Sequence, residues 1–397
     1  MKLMAVQAAR AVMLGAVGAL APERVELPES LGRVLAEDVL AIRPQPPFAA
    51  SSMDGWALRS ADGAGARRII GESAAGRGFE GEVRPGEAVR IFTGAPMPSG
   101  ADAVVIQEDA RRDGDLVSVS AARPGAFVRP AGQDFAAQAR LLTAGLRLDP
   151  WRLALAAAAG RAQLEVARRP RVTIISTGDE LAAPGFVPGA GQIFDSAGPA
   201  IAALATLWGA APVVWLRAQD NVEAITRAAA DAGGDLLITV GGASVGDHDL
   251  VKPALGDLGL RMRVESIAIR PGKPTWFGAL ADGRVVLGLP GNPASAMVCA
   301  ELFLRPLLLA LQGADPAPRP AWARLAAPLM ANGDREHWMR ARLRYDDLGD
   351  TIAHPFGDQD SSLVTVFAEA DALLRRPAHA LAATPGERVE IVRLDRL

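Results

Sequence analysis

Four short apolar runs between residues 171 and 311 constrain the fold more than any other feature of the chain. They are RVTIIS (171–176), PVVWLR (212–217), DLLITV (235–240) and RVVLGL (284–289). RVTIIS and DLLITV, without polar alternation, fit strands buried on both faces, and PVVWLR and RVVLGL fit beside them. Helical stretches follow at 196–208, 221–232, 248–256 and 293–311. Strand and helix in alternation predict a doubly wound α/β domain, whose ligands gather at the carboxyl ends of the strands. Three runs lead into glycine turns at those ends: STGDEL (176–181), VGGASVG (240–246) and PGNP (290–293).

The flanking text differs. Residues 4–20 are predicted to be a helix, with Val6, Met13, Val17 and Leu20 near helical spacing. LPESLGRVLAEDV (27–39) reads as a second helix, with Pro28 and Glu29 in its first turn. RPQPPFAASS (43–52) is too proline-rich for a helix or an interior strand and reads as a crossing between domains. From about 53 to 145, short β-like runs (GWALR, RRII, AVRIF, DAVVIQ, LVSVS) alternate with Gly, Pro and Asp turns, which predicts a small all-β unit. Residues 149–160 return to helix, with Asp149 as cap, Pro150 in the first turn and Gly160 as stop. Residues 320–397 read as a small β domain. The stretch AVMLGAVGALA (11–21) has the look of an export signal, but helix spacing accounts for it better. No other stretch is read as long and apolar enough to cross a membrane.

The balance of 42 Lys and Arg against 45 Asp and Glu offers no basic stripe for nucleic acid, and aromatics at 5% are too sparse for base stacking. A lone cysteine, Cys299, excludes an intrachain disulfide and any multi-cysteine metal site, and is expected to be buried. The four histidines lack metal-ligand spacing.

Lysine occurs only at Lys2, Lys252 and Lys273. An arginine-rich chain that keeps an ammonium beside the glycine turn of RPGKP (270–274) suggests a site needing a point charge, although both later lysines also fit as surface residues. GGASVG can form an anion nest from Gly241, Gly242, Ser244 and Gly246 at a helix start. It is neither a P-loop nor a dinucleotide fingerprint, and a tight turn explains it equally. Asp247 and Asp249 follow it, as cation bridges or helix caps. Asn292, between Pro290–Gly291 and Pro293, suits a rigid ligand grip or an Asx turn. Asp179, Glu180, Asp195 and Asp220 are loop acids. Each alone fits a cap or a solvated charge, while together they suit a magnesium site for phosphoanhydride chemistry. Asp54 (SSMDGWA), Thr93 (TGAPMPSGADAVV) and Asp134 (AGQDF) sit in turns far upstream.

Six motifs, SSMDGWA, RIFTGAPMPSGADAVV, STGDEL, GGASVGDHDLVK, RPGKP and GLPGNPAS, occur in the order and spacing of the MoeA family, and over nearly its whole length the chain resembles that family, which is related to the C-terminal part of gephyrin. The resemblance implies an N-terminal region over 1–165 with a β domain inserted at about 45–145. It further implies a molybdopterin-binding α/β domain over 166–312 and a C-terminal β domain over 313–397. It implies a cytoplasmic homodimer whose cleft combines the α/β domain of one chain with N-terminal residues of the other. The implied reaction takes adenylylated molybdopterin and molybdate, cleaves the phosphoanhydride with Mg2+, releases AMP and joins molybdenum to the dithiolene. Carried over by position, catalysis falls to Asp54, Thr93, Asp134, Glu180, Lys273 and Arg270. Substrate binding falls to Gly241, Gly242, Ser244, Gly246, Asp220, Asp249, Pro290, Gly291, Asn292, Pro293, Arg340 and Ser361, and metal binding to Glu180, Asp220 and Asp249. Arg270 replaces a usual lysine, Ala243 a valine, Ser362 a glycine, and Ala197 lies near a usual asparagine. Contacts with a molybdopterin adenylyltransferase and with recipient molybdoenzymes are implied, and none with nucleic acid or membrane. Two other activities fit less of the chain: adenylylation of molybdopterin, and partner binding as a gephyrin-like scaffold.

Overall fold

The computed structural model describes residues 3–242, 250–318 and 320–395. They form two compact units, one of residues 24–31 and 37–164, the other of residues up to 23, 32–36 and 165 onward.

The first unit is built on a six-stranded sheet. Its strands are β1 (Gly55–Leu58), β2 (Gly65–Ser73), β3 (Glu87–Ile91), β4 (Ala103–Ile106), β5 (Ala110–Asp113) and β6 (Leu116–Val119), in the order β4-β1-β3-β2-β6-β5. All neighbours are antiparallel except β2 and β3. The alternating runs expected here are therefore strands, with Trp56, Leu58, Val105 and Val117 forming a shared core. The proline-rich 43–52 segment lies inside this unit and contributes only the two-residue strand Ala50–Ser51. A helix at Pro150–Ala158 starts as its sequence predicts: the Asp149 carboxylate accepts from the Arg152 N–H at 2.8 Å.

The second unit contains the α/β layer. Its sheet elements are β7 (Val172–Thr177), β8 (Val213–Ala218), β9 (Leu236–Val240), β10 (Arg261–Val264), β11 (Ile269–Arg270), β12 (Trp276–Ala279) and β13 (Val285–Leu289). The sheet order is β8-β7-β9-β13-β12-β10, and the first four are parallel. Every residue of β7, β9 and β13 is buried, which is why their sequences show no polar alternation. Ile174, Ile238 and Leu287 face one core with Ala197–Leu207 and 293–311. Ile175, Leu237 and Val286 face another with Val222–Asp231 and Val251–Gly256. The doubly wound fold expected from the sequence is present.

The C-terminal strands β14 (Ala321–Leu325), β15 (Glu336–Tyr345), β16 (Thr351–Pro355), β17 (Ala372–Arg376) and β18 (Arg388–Arg393) run β15-β16-β14-β18-β17, and β17 pairs back onto β15. That closure makes a small barrel and leaves no free edge among the five. β11 adds in parallel to the start of β15, Arg270 opposite His337.

Three expectations are corrected. The N-terminal helix spans only Val6–Leu14. Gly15 closes its last turn, its N–H donating to Ala11 O at 2.9 Å, and farther on the Leu20 N–H pairs with Leu311 O at 2.8 Å. The 27–39 segment is a single 3-10 turn, Leu27–Ser30. Gly32 follows at φ +73°, and Val39–Leu40 forms a strand against Arg140–Leu142. Finally, the helical run Pro293–Leu311 is long and apolar enough to span a bilayer, with mean hydropathy 1.7, but 83% of it is buried in the core of this unit.

Candidate active site

Because β8, β7, β9 and β13 are parallel neighbours, the turns after them open along one edge. Asp220 follows β8, Asp179 and Glu180 follow β7, Gly241 and Gly242 follow β9, and Pro290–Pro293 follow β13. The turns are mutually bonded. Asp179 Oδ1 accepts from the Asp220 N–H at 3.3 Å, and Gly241 N–H donates to Leu289 O at 3.3 Å. Gly241 lies at φ +94°, and a Cβ there would sit 2.4 Å from Thr177 O, so only glycine lets these two strand ends approach.

The turns after β7, β9 and β13 line a pocket of about 50 Å3 together with the start of the Ala197–Leu207 helix. Its walls include Thr177, Glu180, Asp195, Val240, Gly241, Gly291 and Pro293. Glu180 is exposed and Asp220 half-buried. Asp195, one of the loop acids that together suit a magnesium site, is 2% exposed. Alone, an acid preceding a helix reads as a cap.

The PGNP turn is braced from the barrel. Asn292 Nδ2 donates to Ser361 Oγ at 2.8 Å, and the Ala294 N–H donates to Ser361 O at 3.0 Å. Arg340, wholly buried, donates to Asp360 O at 2.8 Å, next to Ser361. Gln359 clamps the same loop: its Oε1 accepts from Arg340 N–H at 2.9 Å and its Nε2 donates to Arg340 O at 3.0 Å. Arg340 Nε and Nη1 have no partner among the described residues. Burial works against the charge of this guanidinium, and Asp358 and Asp360 partly restore it. The expected residues Asn292, Arg340 and Ser361 thus form one connected group.

RPGKP is a stiff turn. Gly272 lies at φ +108°, and a Cβ would fall 2.2 Å from Cys299 Sγ. Thr275 Oγ1 donates to Gly272 O at 2.7 Å. Arg270 and Lys273 are exposed on either side of this anchor. Burial pushes the Cys299 thiol up to about 12, so it is an inert packing residue, as its sequence context suggests.

In the other unit, Asp54 Oδ1 accepts from both the Thr93 N–H and its hydroxyl, each at 2.8 Å. Those two bonds, with a smaller contribution from Arg90, hold its carboxyl below the usual range. Arg90 lies 5.3 Å over the Trp56 ring and 4.8 Å over that of Phe92. Asp134 is exposed on a different turn, where its N–H donates to Gln45 O at 2.9 Å. Thus Asp54 and Thr93 are partners, and Asp134 has no bond to either. Ser244, Gly246 and Asp249, with Ala243, Asp247 and His248, lie outside the described residues. Among the described residues no group of three or more His, Cys, Asp or Glu is placed to hold a metal.

The chain matches "MoeA N-terminal region (domain I and II)" over residues 4–160, "Probable molybdopterin binding domain" over 173–310 and "MoeA C-terminal region (domain IV)" over 322–394. A molybdopterin molybdenumtransferase of Nostoc sp. is 34% identical over 94% of this chain and 88% of its own length. Molybdopterin molybdenumtransferase 2 of Mycobacterium tuberculosis is 36% identical over 97% and 98% respectively. The crystal structure of a molybdopterin biosynthesis moea protein from Pyrococcus horikosii superposes with a TM-score of 0.86, at 31% identity and with both chains covered completely.

Proposed function

The chain belongs to the molybdopterin molybdenumtransferase (MoeA) family, and on that premise we propose that it inserts molybdenum into molybdopterin, taking adenylylated molybdopterin and molybdate and releasing AMP. The row of four parallel strand ends carries this reading. It puts the acids Asp179, Glu180 and Asp220, the glycine turns and the braced Asn292 along one edge, a suitable bed for a substrate with a phosphoanhydride and a heterocycle.

Each residue then has a task its environment permits. Gly241 and Gly242 let substrate approach the backbone, with Ser244 and Gly246 of the same turn assigned to it by the family pattern. Pro290, Gly291, Asn292 and Pro293 form a rigid grip. Arg270, Lys273 and Arg340 supply positive charge for oxyanions, including tetrahedral molybdate, and Ser361 supplies a hydroxyl. Asp54, held ionised by Thr93, is a poor proton acceptor and serves better as a fixed negative charge. Asp134 is assigned by the family pattern alone. Magnesium, when bound, neutralises charge on the cleaved anhydride. Glu180 and Asp220, on adjoining strand ends, would hold it, with Asp249 assigned by the family pattern. Two carboxylates suffice for an ion that takes its other ligands from phosphate and water. No protein thiol is needed, because the sulfurs belong to the substrate.

We also read the domain limits as 1–165, with the insertion at about 45–145, then 166–312 and 313–397, which the three matched stretches support. The protein is proposed to be a cytoplasmic homodimer that receives substrate from a molybdopterin adenylyltransferase and passes cofactor to molybdoenzymes. The deciding experiment measures AMP release from adenylylated molybdopterin with magnesium, with and without molybdate. Molybdate-dependent release is expected, lowered at least tenfold in Glu180→Ala and Lys273→Ala. Bound substrate that releases no AMP overturns the proposal.

A further inference from the structure

The Asp195 carboxylate does two things with its two oxygens. Oδ1 accepts from the Gly198 N–H at 2.9 Å and so caps the Ala197–Leu207 helix. Oδ2 is buried and has no hydrogen-bond partner among the described residues. The residue is 2% exposed, lines the pocket and is fixed further by its own N–H, which donates to Ala182 O at 2.9 Å. A second buried orphan, Thr177 Oγ1, belongs to another wall residue of the same pocket. A cap alone explains one oxygen of Asp195. It does not explain why the other stays unpaired, since a buried unsatisfied acceptor is costly.

We propose that Asp195 Oδ2 and Thr177 Oγ1 together bind the amino edge of the substrate's heterocycle, the carboxylate accepting a ring-amino N–H and the hydroxyl pairing with the adjacent ring nitrogen or carbonyl. This rests on the reading of the site given above, and it fixes which end of the substrate lies here. Arg270, Lys273 and Arg340, which offer charge for oxyanions, are absent from the lining of this pocket. A divalent cation is the poorer occupant. Asp195 has one free oxygen, and its neighbours Val240 and Ala197 bring no further side-chain oxygen to a cation that prefers about six. Adenine and pterin both present such an edge.

Asp195→Asn separates the two duties, because an amide oxygen can still take the Gly198 N–H while an NH2 group replaces the acceptor in the pocket. Calorimetry of the full-length protein with AMP and with free pterin reports ring binding independently of turnover. The variant is expected to melt with the wild type and to bind one of the two rings about 10- to 100-fold more weakly. The ring affected identifies the source. In the AMP-release assay the loss should fall mainly on KM. Thr177→Val should weaken the same ring by about three- to tenfold. Equal ring affinity in Asp195→Asn and wild type overturns the proposal, as does wild-type protein that binds neither ring. A defect repaired by raised magnesium also overturns it and assigns the oxygen to the cation. Absent turnover with intact, Asp195-dependent ring binding would sink the proposed reaction and leave this site standing.

Discussion

The Glu180 carboxylate folds back over Gly178, so that a Cβ on the glycine would lie 2.5 Å from Glu180 Oε2. Gly178 is at φ +143°, outside the range that side-chain-bearing residues readily adopt. Gly178→Ala should therefore push the acid aside and cost about 1–3 kcal/mol of stability. AMP release should fall toward that of Glu180→Ala, while urea melts show a protein still folded. Unchanged turnover would mean that the position of Glu180 is unimportant. Asp54 offers a second test. Its two bonds from Thr93 depress its pKa, so their stabilising effect is whole above the ordinary carboxylate value of about 4 and is lost as pH falls through the lower folded value. Thr93→Val removes the hydroxyl bond and keeps the backbone one. The Asp54 carboxyl titration, followed by 13C NMR, should move upward; a stationary titration would show the hydroxyl contributes nothing.

At the scale of the element, β15 carries an unusual load. His337, near its start, is buried, with Nε2 unpaired among the described residues. Burial first, then the positive charges of Arg270, Arg340, Arg335 and Arg376, lowers its pKa to about 4. Above pH of about 6.5, folded and unfolded chains both keep it neutral. Between there and about 4, only the unfolded chain takes the proton, so stability falls by about 3 kcal/mol in all. Denaturant melts from pH 7 to 4 should show that loss, and His337→Gln should flatten it. Elements differ in how far their own sequence reveals them. β7, β9 and β13 were legible because burial on both faces removes polar residues from a short run. The 27–39 segment was not, because its spacing permits a helix and the partner of Val39 lies a hundred residues on, at Leu142. The site divides the same way. STGDEL and PGNP could be found at strand ends by pattern. The bond from Asn292 to Ser361 spans 69 residues, and the orphan oxygen of Asp195 exists only once neighbouring turns have closed over it.

For the whole molecule, the α/β core closes around a single thiol. Cys299 sits between the 293–311 helical run and the RPGKP turn, fully buried and beside Gly272. Thiol reagents react with thiolate, and at pH 8 a thiol held near 12 is almost wholly protonated as well as inaccessible. Modification should therefore proceed only through opening of the core, slower by orders of magnitude than for free cysteine, and should accelerate with urea along the unfolding transition. Rapid labelling of native protein would show that the core breathes locally. If the proposed substrate is correct, this burial has a chemical consequence too. A protein that must hold a dithiolene offers it no sulfur with which to form a mixed disulfide, so substrate oxidised in the cleft cannot become tethered to its own enzyme.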